Sequence, residues 1–401
     1  MQLSPEKASL PDNVPAELVV DLNVYKPEGG NQDLHGTWRR IQATSPDIMW
    51  CPYNGGHWLP TRFEDIDFIQ RNHDPFSMRD VGMPSGLKPT RILPLEADPP
   101  EHLGFRMIIN PFFTPKIVSG LDHFTRELAV ELIREIKPRG RCEFMAEFAQ
   151  KLPIAIFMRL ADLPMDDAPE LLRLAEQSTR GGAELQASSQ MAMMAYITPF
   201  VEERRANPGS DLISAIVHAK VKGNQISDTD MMSTLLTVLF GGLDTVASTM
   251  GFMAEFLGRH PAHRQQLIDD PKLIPNAVNE MMRRFGPSST ARTLSRDYEY
   301  KGIHFKGGDK VHILPLLAGM DERRFTDGWN IDFERRDGDH ASFGSGPHRC
   351  PGQLLALLEL RIFVEEWLKQ IPDFRVSDAE PPSYGTGMVN CVETIVLEWD
   401  N

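Results

Sequence analysis

The sequence predicts a mainly α-helical protein with small β-sheets, folded as a single large domain over residues 1–401. Three observations carry that reading. Apolar side chains recur at three- and four-residue spacing through most of the chain, which marks one-sided helices. Strand signals are few and short. No repeat of 20–50 residues, low-complexity tract or linker-like shift in composition interrupts the pattern. Length alone, at roughly 150 residues per domain, would allow two or three units.

Taken in chain order, HWLPT near 57–61 reads as a strand. Proline clusters at 84–100 and 381–382 mark loops, and Asp98-Pro-Pro fixes φ just ahead of a helix. LDHFTRELAVELIREIK at 121–137 carries a continuous apolar stripe. The same period predicts helices over 168–180, 211–220, 261–268, 274–285 and 352–370. Residues 231–258, MMSTLLTVLFGGLDTVASTMGFMAEFLG, exceed the roughly 20 apolar residues a membrane span needs. Asp244 at the middle would cost about 2.5–3.5 kcal/mol in lipid, and the paired Gly241 and Gly242 make a poor lipid-facing surface. A helix through the protein core is the expectation, with no membrane association. DYEYKGIHFKGGDKVHIL at 297–314 reads as a hairpin, and ETIVLEW at 393–399 as a strand.

With 42 basic and 56 acidic side chains the formal charge is −14. That balance excludes bulk nucleic-acid binding, which needs a dense basic footprint. The four cysteines, Cys51, Cys142, Cys350 and Cys391, are too scattered for a disulfide framework or a zinc module. A reducing, cytoplasmic setting is expected, as the N-terminus has no basic segment followed by an apolar core.

The sharpest feature is Phe343-Gly-Ser-Gly-Pro-His-Arg-Cys350-Pro-Gly352, followed directly by an apolar helix. A thiolate binds metal and needs positive potential to persist at neutral pH. A helix start supplies it through free N–H groups and the dipole. Gly344, Gly346 and Gly352 would let the backbone approach a bulky planar ligand where a Cβ would collide, with Phe343 covering one side of the sulfur. A glycine-rich turn around a buried cysteine is the plainer alternative. Six residue types at fixed spacing, FGxGxHxCxG, arise by chance in such a chain on the order of once in a million.

This loop resembles the haem-thiolate signature of the cytochrome P-450 monooxygenases. The likeness extends along nearly the whole chain and is greatest to the soluble bacterial camphor-hydroxylase group, with NGGHW, GGLDTV and IPDF in matching order. It implies that fold, a triangular prism, and haem b (iron protoporphyrin IX) with Cys350 as the axial iron ligand. On the apolar helix, Gly241 and Thr245 share a face. The resemblance makes Asp244 and Thr245 the acid–alcohol pair that delivers protons to the dioxygen site, with Gly241 leaving room beside the hydroxyl. Glu280 and Arg283, ordinary as an i,i+3 pair, match the family's structural ExxR pair. The usual third partner aligns with Asn330, a departure from the His or Arg expected. His102, Arg106, Arg292 and His348 coincide with positions that bind the haem propionates, and Arg106 would also face the redox partner.

The resemblance further implies dioxygen activation driven by a two-iron ferredoxin and its NADH-dependent flavin reductase. The alternatives are a haem-thiolate peroxygenase or isomerase that does not use dioxygen, or a non-catalytic haem-binding sensor. Alignment suggests a substrate pocket of Thr90, Ile92, Leu95, Thr237, Phe240, Ser288, Met388 and Val389. Thr90 falls where camphor hydroxylases carry the tyrosine that anchors the ketone. A mainly apolar pocket narrowed by Phe240 points to hydroxylation of a small terpenoid, cineole-, ionone- or camphor-like.

Overall fold

The most apolar stretch forms one long helix, Asp228–Arg259. Ser227 caps it by accepting from the Asp230 N–H, and Asp228 and Asp230 occupy the first turn, where the helix dipole favours acids. More than half of its span-like window is buried inside the protein, so the apolar run is explained by packing. The computed structural model describes residues 6–83, 91–180 and 183–400.

Two apolar clusters meet along this helix. Met231, Leu235, Leu239 and Leu243 pack into one, together with Lys151–Ala161, Ala168–Arg180, Ala183–Ala206 and Leu212–Val217. Val246, Met250, Met253 and Leu257 pack into the other, with the main sheet and the helices Ile274–Phe285 and Gln353–Gln370. The helix changes partners between Leu243 and Val246. Asp244 and Thr245 sit at that junction.

The main sheet has five strands in the order Ile48–Cys51, His57–Pro60, Lys310–Ile313, Thr290–Leu294, Phe76–Ser77. Trp50 faces Trp58 across the first pair, and Val311 faces Arg292 across an antiparallel pair. That register buries Arg292 near the centre of the sheet. The 297–314 segment is a hairpin only in its first part, Tyr298–Tyr300 against Ile303–Phe305. Lys310–Ile313 leaves it and joins the main sheet. ETIVLEW likewise divides: Glu393 and Thr394 end the strand Cys391–Thr394, and Val396–Glu398 begins a separate one.

Expected helices emerge as Asp122–Ile136, Ala168–Arg180, Leu212–Val217, Pro261–Asp269, Ile274–Phe285 and Gln353–Gln370. Asp98-Pro-Pro leads into Glu101–Ile109 with Pro100 at the cap position.

Candidate active site

The two clusters leave a cavity of about 340 Å³ between the long helix and the cysteine loop. On the helix side it is lined by Thr237, Gly241, Gly242, Thr245 and Thr249, and on the loop side by Phe343, His348, Cys350 and Gly352. The loop is closed by the Cys350 N–H, which donates to the Phe343 carbonyl at 2.8 Å. Gly344 and Gly346 adopt φ of 73° and 69°, in the left-handed region that glycine takes without strain. A Cβ on Gly346 would stand 3.0 Å from the Arg71 Cα, so this glycine answers to a neighbouring backbone rather than to a planar ligand. On Gly352 the nearest contact would be 3.8 Å, which is ordinary packing.

Cys350 is exposed to the cavity. The protein packed around it pushes the thiol up, while the Gly352 N–H and the Arg106 guanidinium pull it back down. Pro351 has no N–H, so Gly352 is the backbone donor that reaches the sulfur. Arg106 donates to the Arg349 carbonyl at 2.8 Å and to Asn110 at 3.0 Å, which ties its helix to the cysteine loop.

Four basic side chains line the cavity: His102, Arg106, Arg292 and His348. The two histidine rings lie 4.2 Å apart. Burial, reinforced by the nearby Arg106 charge, holds His102 down to about 4. Burial and the charges of His102, Arg292 and Arg106 hold His348 down to about 2. Among the described residues, His348 Nε2 is buried without a hydrogen-bond partner. Arg292 is 3% exposed, and burial lowers it to about 10. Its own hydrogen bonds are to the Thr290 hydroxyl and the Ala291 carbonyl, both at 3.2 Å, and among the described residues it has no carboxylate at ion-pair distance. A buried guanidinium and an orphaned imidazole nitrogen on residues that line one cavity are costly unless an anion completes them. A dianionic ligand that also offers a metal to the sulfur fits both needs.

Thr245 faces the cavity and its hydroxyl donates to the Gly241 carbonyl at 2.9 Å. Asp244 is half-buried and is not among the described residues that line the cavity. A Cβ at Gly241 or Gly242 would meet nothing within 4 Å.

Glu280 and Arg283 form a buried bidentate pair at 2.7 and 2.8 Å. Arg283 also donates to the carbonyls of Gly319, Gly328 and Asn330. Asn330 is not the third partner: its side chain turns to Asp327. Arg335 takes that place, with Nε 3.0 Å from Glu280 Oε1.

The family model for cytochrome P450 matches residues 178–384. A probable cytochrome P450 127A1 of Sinorhizobium fredii is 30% identical over 400 residues, 97% of each chain. The steroid C26-monooxygenase of Mycolicibacterium smegmatis is 31% identical over 90% of this chain and 91% of that protein. The crystal structure of CYP101J2 superposes with a TM-score of 0.90 at 38% identity, covering 98% of this chain and all of that one. That of CYP101C1 gives 0.91 at 32% identity, with the same coverage.

The chain belongs to the cytochrome P450 family. It is a haem b-dependent P450 monooxygenase, similar to the camphor-hydroxylase-like group. The expected substrate pocket of this P450 is only partly assembled by the structure. Leu95, Thr237 and Ser288 line the cavity; Thr90 lies outside the described residues. Ile92, Phe240, Met388 and Val389 are not among the described residues that line it. Phe240 packs against the apolar cluster around Leu239, because the cavity face of the helix runs through 237, 241 and 245. Met388 is 43% exposed and offers its carbonyl to the Ser289 N–H, while Val389 bridges Ser288. Pro94, Val238 and Phe157 wall the cavity instead.

Glu359 lines the same cavity and escaped the sequence reading. It is 3% exposed, its Oε2 has no partner among the described residues, and burial pushes its carboxyl well above the ordinary range. A lone acid inside LLALLELRIFV was the available signal.

Proposed function

We propose that this P450 hydroxylates a small, largely saturated terpenoid with one ether or carbonyl oxygen, cineole-like or ionone-like rather than camphor itself. Electrons come from a two-iron ferredoxin and its NADH-dependent flavin reductase, in the cytoplasm. The observation that carries the ligand class is where the cavity's hydroxyl protons go. Thr237, Thr245 and Thr249 donate to the carbonyls of Ser233, Gly241 and Thr245 at 2.7, 2.9 and 2.7 Å. The helix wall therefore presents apolar surface and acceptor oxygens. Ser288 is held more loosely, 3.5 Å from the Ser342 carbonyl. A charged or highly oxygenated ligand would lose its water without replacement there. A lone ether or carbonyl is tolerated, but no strong anchor awaits it.

Haem b, when bound, supplies the iron at which dioxygen is reduced and one oxygen atom is inserted into a C–H bond. Cys350 serves as its thiolate ligand, and His102, Arg106, Arg292 and His348 hold its two carboxylates. Thr245 holds a proton at its hydroxyl on the cavity side, with Gly241 leaving space beside it. Asp244, one position round the helix, refills that proton from outside. Leu95, Val238 and Phe157 exclude water and orient the substrate.

Spin-state titration with cineole, camphor and a medium-chain fatty acid tests the ligand class. Cineole should bind most tightly. One missing hydrogen bond is worth about 0.5–1.5 kcal/mol net, so camphor should bind roughly threefold to tenfold more weakly. Equal affinity for camphor, or a preference for the fatty acid, would sink the reading.

A further inference from the structure

Met78, Pro94 and Leu95 line the cavity, yet none of them belongs to a helix or strand. Among the described residues, no ladder of backbone hydrogen bonds holds this wall. A buried carboxylate does so instead. Glu96 is 2% exposed, and its two oxygens accept from two separate limbs of the chain. Oε1 takes the Val81 N–H at 2.8 Å, and Oε2 takes the Ile92 N–H at 2.7 Å. Its backbone N–H donates to the Ile92 carbonyl at 2.7 Å. Its carbonyl accepts Nε and Nη2 of Arg91 at 3.0 and 2.6 Å, and Arg91 pairs with Glu101 at 2.9 Å.

Both limbs are tied further into the fold. Ser233 of the long helix accepts the Leu93 N–H at 2.9 Å and donates to the Arg91 carbonyl at 2.5 Å. One turn on, Thr237 reaches the cavity. On the other limb, Asp98 accepts the Met78 N–H at 2.9 Å and the Ser77 hydroxyl at 2.5 Å. Lys310 donates to the Asp80 carbonyl at 2.7 Å. Charge-assisted bonds of this kind are stronger than neutral ones, and a carboxylate with two oxygens can fix two donors at one separation.

We propose that Glu96 is a positioning residue for substrate selection. By holding Val81 and Ile92 to one carboxylate, it fixes the spacing of the walls that carry Met78 and Pro94–Leu95. That spacing sets the largest ligand the cavity admits. The inference deepens the small-ligand reading above and rests on it for the natural substrate, whereas its geometry stands independently.

The test uses Glu96→Gln, which keeps the side-chain size but leaves one acceptor oxygen for two N–H donors. In the haem-loaded enzyme without ligand, amide exchange at Val81 or Ile92 should accelerate about threefold to tenfold, with the strand Thr290–Leu294 unchanged. Size selection is then read with imidazole and a bulkier aryl-imidazole, which bind haem iron through nitrogen whatever the natural substrate is. The variant should bind the bulkier azole better relative to imidazole, by about threefold or more. Ser233→Ala, which frees the same limb from the long helix, should act in the same direction and serves if Glu96→Gln does not fold. Unchanged exchange at both amides, or faster exchange with an unchanged affinity ratio, would overturn the proposal. Failure of terpenoids to bind, with the azole ratio shifted, would overturn the substrate reading and leave Glu96 in its role.

Discussion

Thr245 has a single hydroxyl proton, and the Gly241 carbonyl holds it at the cavity edge. Removing it should separate electron consumption from product. In Thr245→Ala, NADH use should continue while hydrogen peroxide replaces hydroxylated product; Asp244→Asn should instead slow both together. Unchanged coupling in the alanine variant counts against the assignment, as measured by peroxide yield per NADH. Two residues before the helix Gln353–Gln370, Pro351 withholds an N–H, and Gly352 remains to donate toward the Cys350 sulfur. Pro351→Leu restores a donor, so it should draw electron density from the thiolate and raise the haem reduction potential. A redox titration without a shift would reduce Pro351 to a residue that merely suits the first turn of a helix.

Among the elements, the meander around Glu280 shows where sequence reading stops. The Glu280–Arg283 spacing was legible because i,i+3 residues share a helix face. The third contact was not, since residues 321–340 carry no period from which a side-chain direction can be read. Alignment pointed to Asn330, whereas Arg335 makes the bond. Arg335→Ala should therefore destabilise the fold by about 1–3 kcal/mol, the cost of an under-satisfied buried charge. Asn330→Ala should cost far less, because Asn330 serves Arg283 through its backbone carbonyl. Comparable losses for both in chemical denaturation would contradict this. A related limit explains why the helix Lys151–Ala161 is not among the expected ones and why the pocket is only partly matched. Lys151–Ala161 is buried on nearly every side, so it shows no stripe. Met388, Val389 and Ile92 lie on irregular backbone, where neighbours in sequence need not face the same way. Thr237, Gly241 and Thr245 were legible because a helix fixes their common face.

At the scale of the molecule, buried histidines away from this cavity contribute a pH response of their own. Burial holds His57 down to about 4, and holds His35 and His312 well below the ordinary range. Unfolded, these rings take a proton below about 6.5. Between about 6.5 and 4 the unfolded state therefore binds more protons, and stability falls as pH drops through that window. Each unit of depression corresponds to about 1.4 kcal/mol. Melting temperature should decline from pH 7 to pH 5, and His57→Gln should flatten part of that slope; an identical slope would remove His57 from the account. The placing of Cys350, His348, Arg292 and His102 around one cavity is the claim on which the functional reading stands. Its most direct test is the spectrum of reduced, carbon monoxide-bound protein, in wild type and in Cys350→His. The wild type should show the long-wavelength Soret band of thiolate-ligated haem, and the variant should move to the shorter wavelength of histidine ligation. Retention of the long-wavelength band in Cys350→His would contradict the account.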